Sequence, residues 1–228
     1  EVDKDGTVQK QGEHYSRPMT PRSLAVQALM DQKRGQFAVQ LLESNPGYKQ
    51  LEDQRHRSFA RLLVSTVERR MGQIDKILSL YADVYPPKKG KNSSLVQACL
   101  RVGAAQLLYL DIADYAAVKE TVDILKKWNG PRNKVPEPLI KFVNAILRNI
   151  GRDGPELLDS NSSESDNVAP WLIKMWHDTW GEENTSKLIA QAMREPHIDL
   201  SIKLSPYLME EDQILELERW RDMMGDGA

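Results

Sequence analysis

At 228 residues the chain is long enough for one well-buried domain with an appendage, or for two small domains. Its composition, 40% hydrophobic and 28% charged, is that of an ordinary globular protein, and no apolar run approaches the roughly 20 residues that cross a bilayer. The net charge of −2 conceals a division: residues 17–152 carry 23 Lys and Arg against 12 Asp and Glu, whereas residues 153–228 carry 6 against 17.

Residues 1–16 are polar and acidic, which does not suit a secretory signal, and read as a disordered tail. A chain that starts at Glu1 without an initiator Met reads as a processed form or a fragment. From Pro21 to Gly151 the pattern is helical. In TPRSLAVQALMDQKRG, Thr20 caps, Pro21 takes the first helical position, and Gly35 lies past the end. Leu24, Ala25, Ala28 and Leu29 form the apolar stripe. FAVQLLE is a short second helix, stopped by Asn45-Pro46-Gly47. In the next segment Phe59, Leu62, Leu63 and Val67, then Ile74, Ile77, Leu78 and Tyr81, recur at helical spacing, and Gly72 is expected to separate two helices. Pro86-Pro87 ends the segment, followed by a basic loop of Lys88, Lys89 and Lys91.

Val96, Leu100, Gly103, Leu107 and Leu110 then mark one face of a helix. Glycine at 103 costs about 1 kcal/mol against alanine there, which a closely packed neighbouring helix would offset. After a break at 111–114, with Asp114 expected as the cap, Tyr115, Val118, Val122 and Leu125 form the next stripe. Ile140, Val143, Ile146 or Leu147, and Ile150 form another. The fold class expected is all-α.

Residues 153–168 are rich in Gly, Ser, Asn, Asp and Pro and read as an exposed linker. Residues 169–205 follow as a helical connector whose Trp171, Trp176 and Trp180 are read as packing between this helix and a following domain, with HIDLSIKLS as a candidate short strand. Residues 206–228 form an acidic, amphipathic tail. The four histidines stand singly, without metal-ligand spacing.

RVGAAQLLYLDIADYAAVKETVDIL (101–125), followed by KFVNAILRNIGR (141–152) and preceded by DQRHRSFARLLVSTVERRMGQIDKIL (53–78), resembles the NusB/RsmB family of RNA-binding helical bundles. The resemblance covers residues 20–152 in order and departs at Ala113-Asp114-Tyr115, where the family commonly carries a proline. APWLIKMWHDTWGEENTSKLIAQAMREPHIDLSIKL (169–204) resembles the segment that, in RsmB-type ribosomal RNA cytosine-C5 methyltransferases, joins the bundle to the catalytic domain. The resemblance implies the RNA-binding part of such an enzyme. A NusB-like antitermination factor, binding RNA with a protein partner, is the alternative, and a bundle for protein contacts a third.

In that family a cysteine attacks cytosine C6 on a domain that binds S-adenosylmethionine. Here the lone Cys99 sits on an apolar helix face, where packing is the expected role, and no glycine-rich strand-to-helix turn is present. No catalytic residue and no cofactor site are therefore expected in this chain, S-adenosylmethionine belonging to a full-length parent with its catalytic domain in cis. The expected partner is RNA, above all ribosomal RNA, with no membrane. A bacterial cytoplasmic location and a plastid or other organellar one both fit. Candidate phosphate-binding side chains are Arg55, Arg57 and Arg61, Arg69 and Arg70, the loop residues Lys126, Lys127, Arg132 and Lys134, and the helical face of Lys141, Asn144, Arg148 and Arg152.

Overall fold

The computed structural model describes residues 19–82, 85, 90, 92–128, 134–195, 203 and 209–224. The expected tail at 1–16, the loop lysines 88, 89 and 91, Arg132, and all but Lys203 of the candidate strand lie outside these residues. Every described element is helical: α1 (Pro21–Asp31), α2 (Ala38–Ser44), α3 (Pro46–Lys49), α4 (Gln54–Tyr81), α5 (Ser93–Tyr109), α6 (Asp114–Lys127), α7 (Glu137–Asn161), a 3-10 turn (Glu164–Asn167), α8 (Pro170–Ala192) and α9 (Glu210–Met224). The all-α fold expected from the periodicity is the fold observed.

Two compact units divide after Met193. The second, described over residues 209–224, contains the acidic helix α9, which leaves Ile214, Leu215, Leu217, Trp220 and Met223 exposed.

Local signals start and stop the helices as the sequence suggests. Thr20 and Ser23 form a reciprocal capping box before Pro21, and Gly35 turns the chain with φ +83, a conformation that side chains beyond glycine disfavour. Asn45 ends α2 and caps α3, its side chain accepting the Gly47 N–H at 2.8 Å. Asp53 caps α4 by accepting the Arg55 N–H at 2.8 Å. Asp114, by contrast, is the first helical residue of α6 rather than its cap; Ala113 holds the cap position without a side-chain bond.

Helix α5 is the axle of the bundle, packed against α1, α4, α6 and α7. Leu95, Val96, Cys99, Leu100, Val102 and Leu107 are all buried, each large apolar side chain contributing about 1.5–3 kcal/mol through its removal from water. Gly103 explains the close approach of α7: a Cβ there would stand 2.6 Å from both methyls of Leu147. Inside this packing Gln106 is wholly buried and fully engaged. Its Nε2 donates to Val102 O at 3.0 Å and Thr121 Oγ1 at 3.3 Å, and its Oε1 accepts from Arg22 Nε at 2.6 Å, so one amide ties α1, α5 and α6.

Two expectations about organisation change. The break expected at Gly72 falls two residues earlier: two helical stretches of α4 meet in a kink at Arg70 (φ −111, ψ 15), and Gly72, just past it, makes room for a crossing chain, since a Cβ would lie 1.7 Å from Asp166 O. The segment 153–168 is not an exposed linker throughout. Helix α7 continues over Gly154 and Pro155 to Asn161, because Gly154 is buried against Leu108 and because Leu157 and Leu158 pack on the core. That burial outweighs the lost helical hydrogen bond at proline. The chain then turns at Ser162 and is pinned across α4, where Lys76 pairs with Asp166 at 3.0 Å. The expected boundary after residue 152 therefore falls inside a helix, and the break in packing comes after Met193.

Helix α8 begins at Pro170 and is broken at Gly181 (φ +76, ψ 173). The tryptophans expected to pack against a following domain stand here with Trp171 69% and Trp180 51% exposed and Trp176 half-buried.

Candidate nucleic-acid interface

The candidate cations separate into those the fold consumes and those it presents. Arg57 donates to Leu51 O at 2.5 Å and to Gln54, closing the turn before α4. Arg70, at the irregular point of α4, spans the ring of Tyr109 at 5.2 Å and donates to Gln73, Glu164 and Met193 O. Burial lifts the Tyr109 phenol to about 12, with Arg70 opposing the rise. Arg61 pairs with Glu43 on the surface. Arg101, at the head of the most distinctive sequence stretch, forks onto Asp75, which also accepts the Tyr85 hydroxyl at 2.6 Å. These side chains brace the bundle. Arg69 is half-buried and borders a shallow depression with Phe37 and Glu68, while Arg55, Lys127 and Lys134 are exposed and apart from it.

Four of the candidates converge. Lys126, Asn144, Arg148 and Arg152 line one groove of about 580 Å³ between α6 and α7. Its apolar floor is Val118 and Val122, and α6 adds Tyr115 and Lys119 to its wall. Helix periodicity creates the α7 side: residues 144, 148 and 152 recur every four positions with 151 between them, along the flank of the buried stripe of Val143, Leu147 and Ile150. Gly151 lets the start of α6 come close, since a Cβ would stand 3.3 Å from an Asp114 carboxylate oxygen. Lys141 continues the same α7 face one turn before Asn144, outside the lining.

The groove's charges are not equally available. Arg152 is locked bidentately to Asp153 at 2.8 Å, which raises the guanidinium and lowers the carboxyl from their ordinary values. Lys126 lies 3.5 Å from Asp123. Among the described residues Arg148 has no acidic partner, and Lys119 approaches only the Tyr115 ring, at 5.8 Å. Spacing alone did not mark Tyr115 and Lys119 as binding candidates. Tyr115 continues the Val118–Val122–Leu125 spacing and so reads as core, but it stands in the first turn of α6, beyond the cover of α7, and is 73% exposed. The signal available in the sequence was the Tyr–Lys spacing of four, which puts a ring and an ammonium on one face.

The groove thus sets Lys119, Lys126, Arg148 and Arg152, together with the carboxylates of Asp114 and Asp123, around an apolar floor. Known proteins give it context. The chain matches the model of the NusB family over residues 19–152. It is 31% identical over 153 residues to the probable ribosomal RNA small subunit methyltransferase B of Synechocystis, covering 64% of this chain and 32% of that protein. The corresponding protein of Bacillus subtilis is 29% identical over 175 residues (73% and 37%), and ribosomal RNA small subunit methyltransferase B of Shewanella oneidensis 29% over 180 (78% and 39%). The chain thus spans 32–39% of the length of these relatives, in their N-terminal part.

Proposed function

This chain belongs to the NusB family, and we propose that it is the ribosomal RNA recognition module of a longer cytosine-C5 methyltransferase. The observation that carries the reading is the α6–α7 groove, where Lys119, Lys126 and Arg148 gather over Val118 and Val122. Phosphate contacts of this kind supply most of the affinity of an RNA-binding surface and make it sensitive to salt. The relatives' name, ribosomal RNA small subunit methyltransferase B, supports ribosomal RNA as the class of ligand.

The one cysteine, Cys99, is wholly buried on α5 with its thiol pushed up by burial, and no strand leads into a glycine-rich turn among the described residues. In this reading, which the relatives' name supports, methyl transfer belongs to a catalytic domain in cis, and this module's share is to hold the RNA.

The test is equilibrium binding of the purified 228-residue chain to fragments of small-subunit ribosomal RNA across a salt series. Lys119→Gln, Lys126→Gln and Arg148→Gln combined should lower affinity and reduce the salt slope by about 0.7–0.9 for each phosphate no longer neutralised. No binding at low salt, or an unchanged slope, would remove the groove from this role.

A further inference from the structure

We propose that the groove receives an unpaired nucleotide whose base lies on the ring of Tyr115, so that the module selects looped or single-stranded RNA over an uninterrupted duplex. The inference rests on the RNA-binding reading above and assigns what that reading leaves open, the form of RNA taken.

Tyr115 is the starting point. An aromatic side chain 73% exposed at the edge of an otherwise well-buried bundle contributes little to the core. Its position is fixed by the first turn of α6, and the Lys119 ammonium stands 5.8 Å from the ring centroid, one turn further on. The ammonium lies over one face of the ring, which leaves the other face as a π surface close to a phosphate-attracting group. That pair of functions matches one nucleotide, base and backbone together.

The dimensions favour the same ligand. The bases of an A-form duplex are stacked inward, and proteins meet such a duplex through its broad, shallow minor groove and its backbone. A groove of about 580 Å³ has the size of a site for a small molecule, and its floor of Val118 and Val122 is apolar. A splayed-out base fills such a space; a paired one does not reach it.

The charges place the phosphate. Asp114 lies at one end of the groove against Gly151, and Arg152 beside it is already bound by Asp153, so that end repels or ignores an anion. Asp123 in the same lining holds Lys126 at 3.5 Å, which leaves Arg148 and Lys119 as the groove cations with no ion pair among the described residues. The backbone of the bound nucleotide lies on their side, and the strand continues along α7 toward Asn144, whose amide can donate to or accept from the edge of a following base.

The experiment compares three RNAs of equal length with the unaltered 228-residue chain: a single strand, a hairpin with an unpaired loop, and a perfect duplex. The first two should bind more tightly. Tyr115→Ala should weaken their binding by about 5- to 150-fold, the range of one stacked base, with little change for the duplex. Tyr115→Phe should restore binding to within about twofold. Both variants change an exposed position, and thermal unfolding checks that they fold. Equal binding of the duplex, or an unaffected Tyr115→Ala alongside a weakened Lys119→Gln/Arg148→Gln variant, overturns this inference and leaves RNA binding standing. Failure of the unaltered chain to bind any of the three overturns both.

Discussion

Gln73 and Asn167, 94 positions apart, exchange hydrogen bonds: the Gln73 N–H donates to Asn167 Oδ1 at 2.9 Å, and Asn167 Nδ2 donates to Gln73 Oε1 at 2.7 Å. The irregular backbone at Arg70 sits three residues before this amide. A side chain from the end of α7's following turn thus completes a break in α4, and Ser162 Oγ adds a third bond by accepting from Gln73 Nε2 at 3.2 Å.

Asn167→Ala leaves the Gln73 N–H unsatisfied in a residue only 6% exposed. The loss should be about 1–3 kcal/mol, visible as a lower urea midpoint with unchanged slope. Hydrogen exchange at the Gln73 amide should accelerate.

Alanine at Gly72 and at Gly103 should fail differently. At Gly72 the obstacle is the backbone oxygen of Asp166, so residues 162–167 must lift away. Limited proteolysis should then cut that segment. At Gly103 the obstacle is the Leu147 side chain, and repacking should cost about 1–3 kcal/mol with no new cleavage site.

Arg70 and Arg148 give a crossed pair. Arg70→Gln should destabilise the fold, because it removes the cation over Tyr109 and the bonds to Glu164 and Met193 O. It should leave the salt slope of RNA binding unchanged. Arg148→Gln should do the reverse, lowering the slope while changing stability by no more than about 0.5 kcal/mol.

Much of this architecture is legible in the sequence. Val96, Leu100, Gly103 and Leu107 announce both the helix and its intimate partner, and the α7 face carrying Asn144, Arg148 and Arg152 follows from spacing alone. What eludes sequence reasoning depends on tertiary contact. Gly154-Pro155 looks like a helix end until Leu108, Leu157 and Leu158 are seen to bury that turn. Arg57 and Arg70 look like free cations until their carbonyl and carboxylate partners arrive from elsewhere. Tyr115 looks like core because periodicity records direction and not whether a neighbour is present to cover it.

Acid should loosen the Asp166 attachment. Burial opposes ionisation of this carboxyl, but the Ser163 N–H and the Lys76 ammonium prevail and hold its pKa below the usual range. A lowered folded-state value stabilises above the unfolded value of about 3.9 and is lost as pH falls through the folded one. The stability difference between the unaltered chain and Asp166→Asn should therefore be constant near neutrality and shrink below about pH 4.

Cys99 should be inert while the bundle is intact. It is 0% exposed and its thiol is raised by burial, so a thiol reagent should modify it only as fast as the core opens. Modification without denaturant as fast as that of the unfolded chain would contradict this.

The seat of Asp166 over Gly72 also fixes where the chain tolerates changes in length. Between Asn161 and Asn167 every residue is counted, since adding or deleting one would slide Asn167 out of register with Gln73 and bring a different carbonyl over the glycine. Past Pro170 no comparable clasp reaches α4 until Met193. Variation in length among related chains should therefore collect on the far side of that proline, leaving the short span before it as a ruler of constant measure.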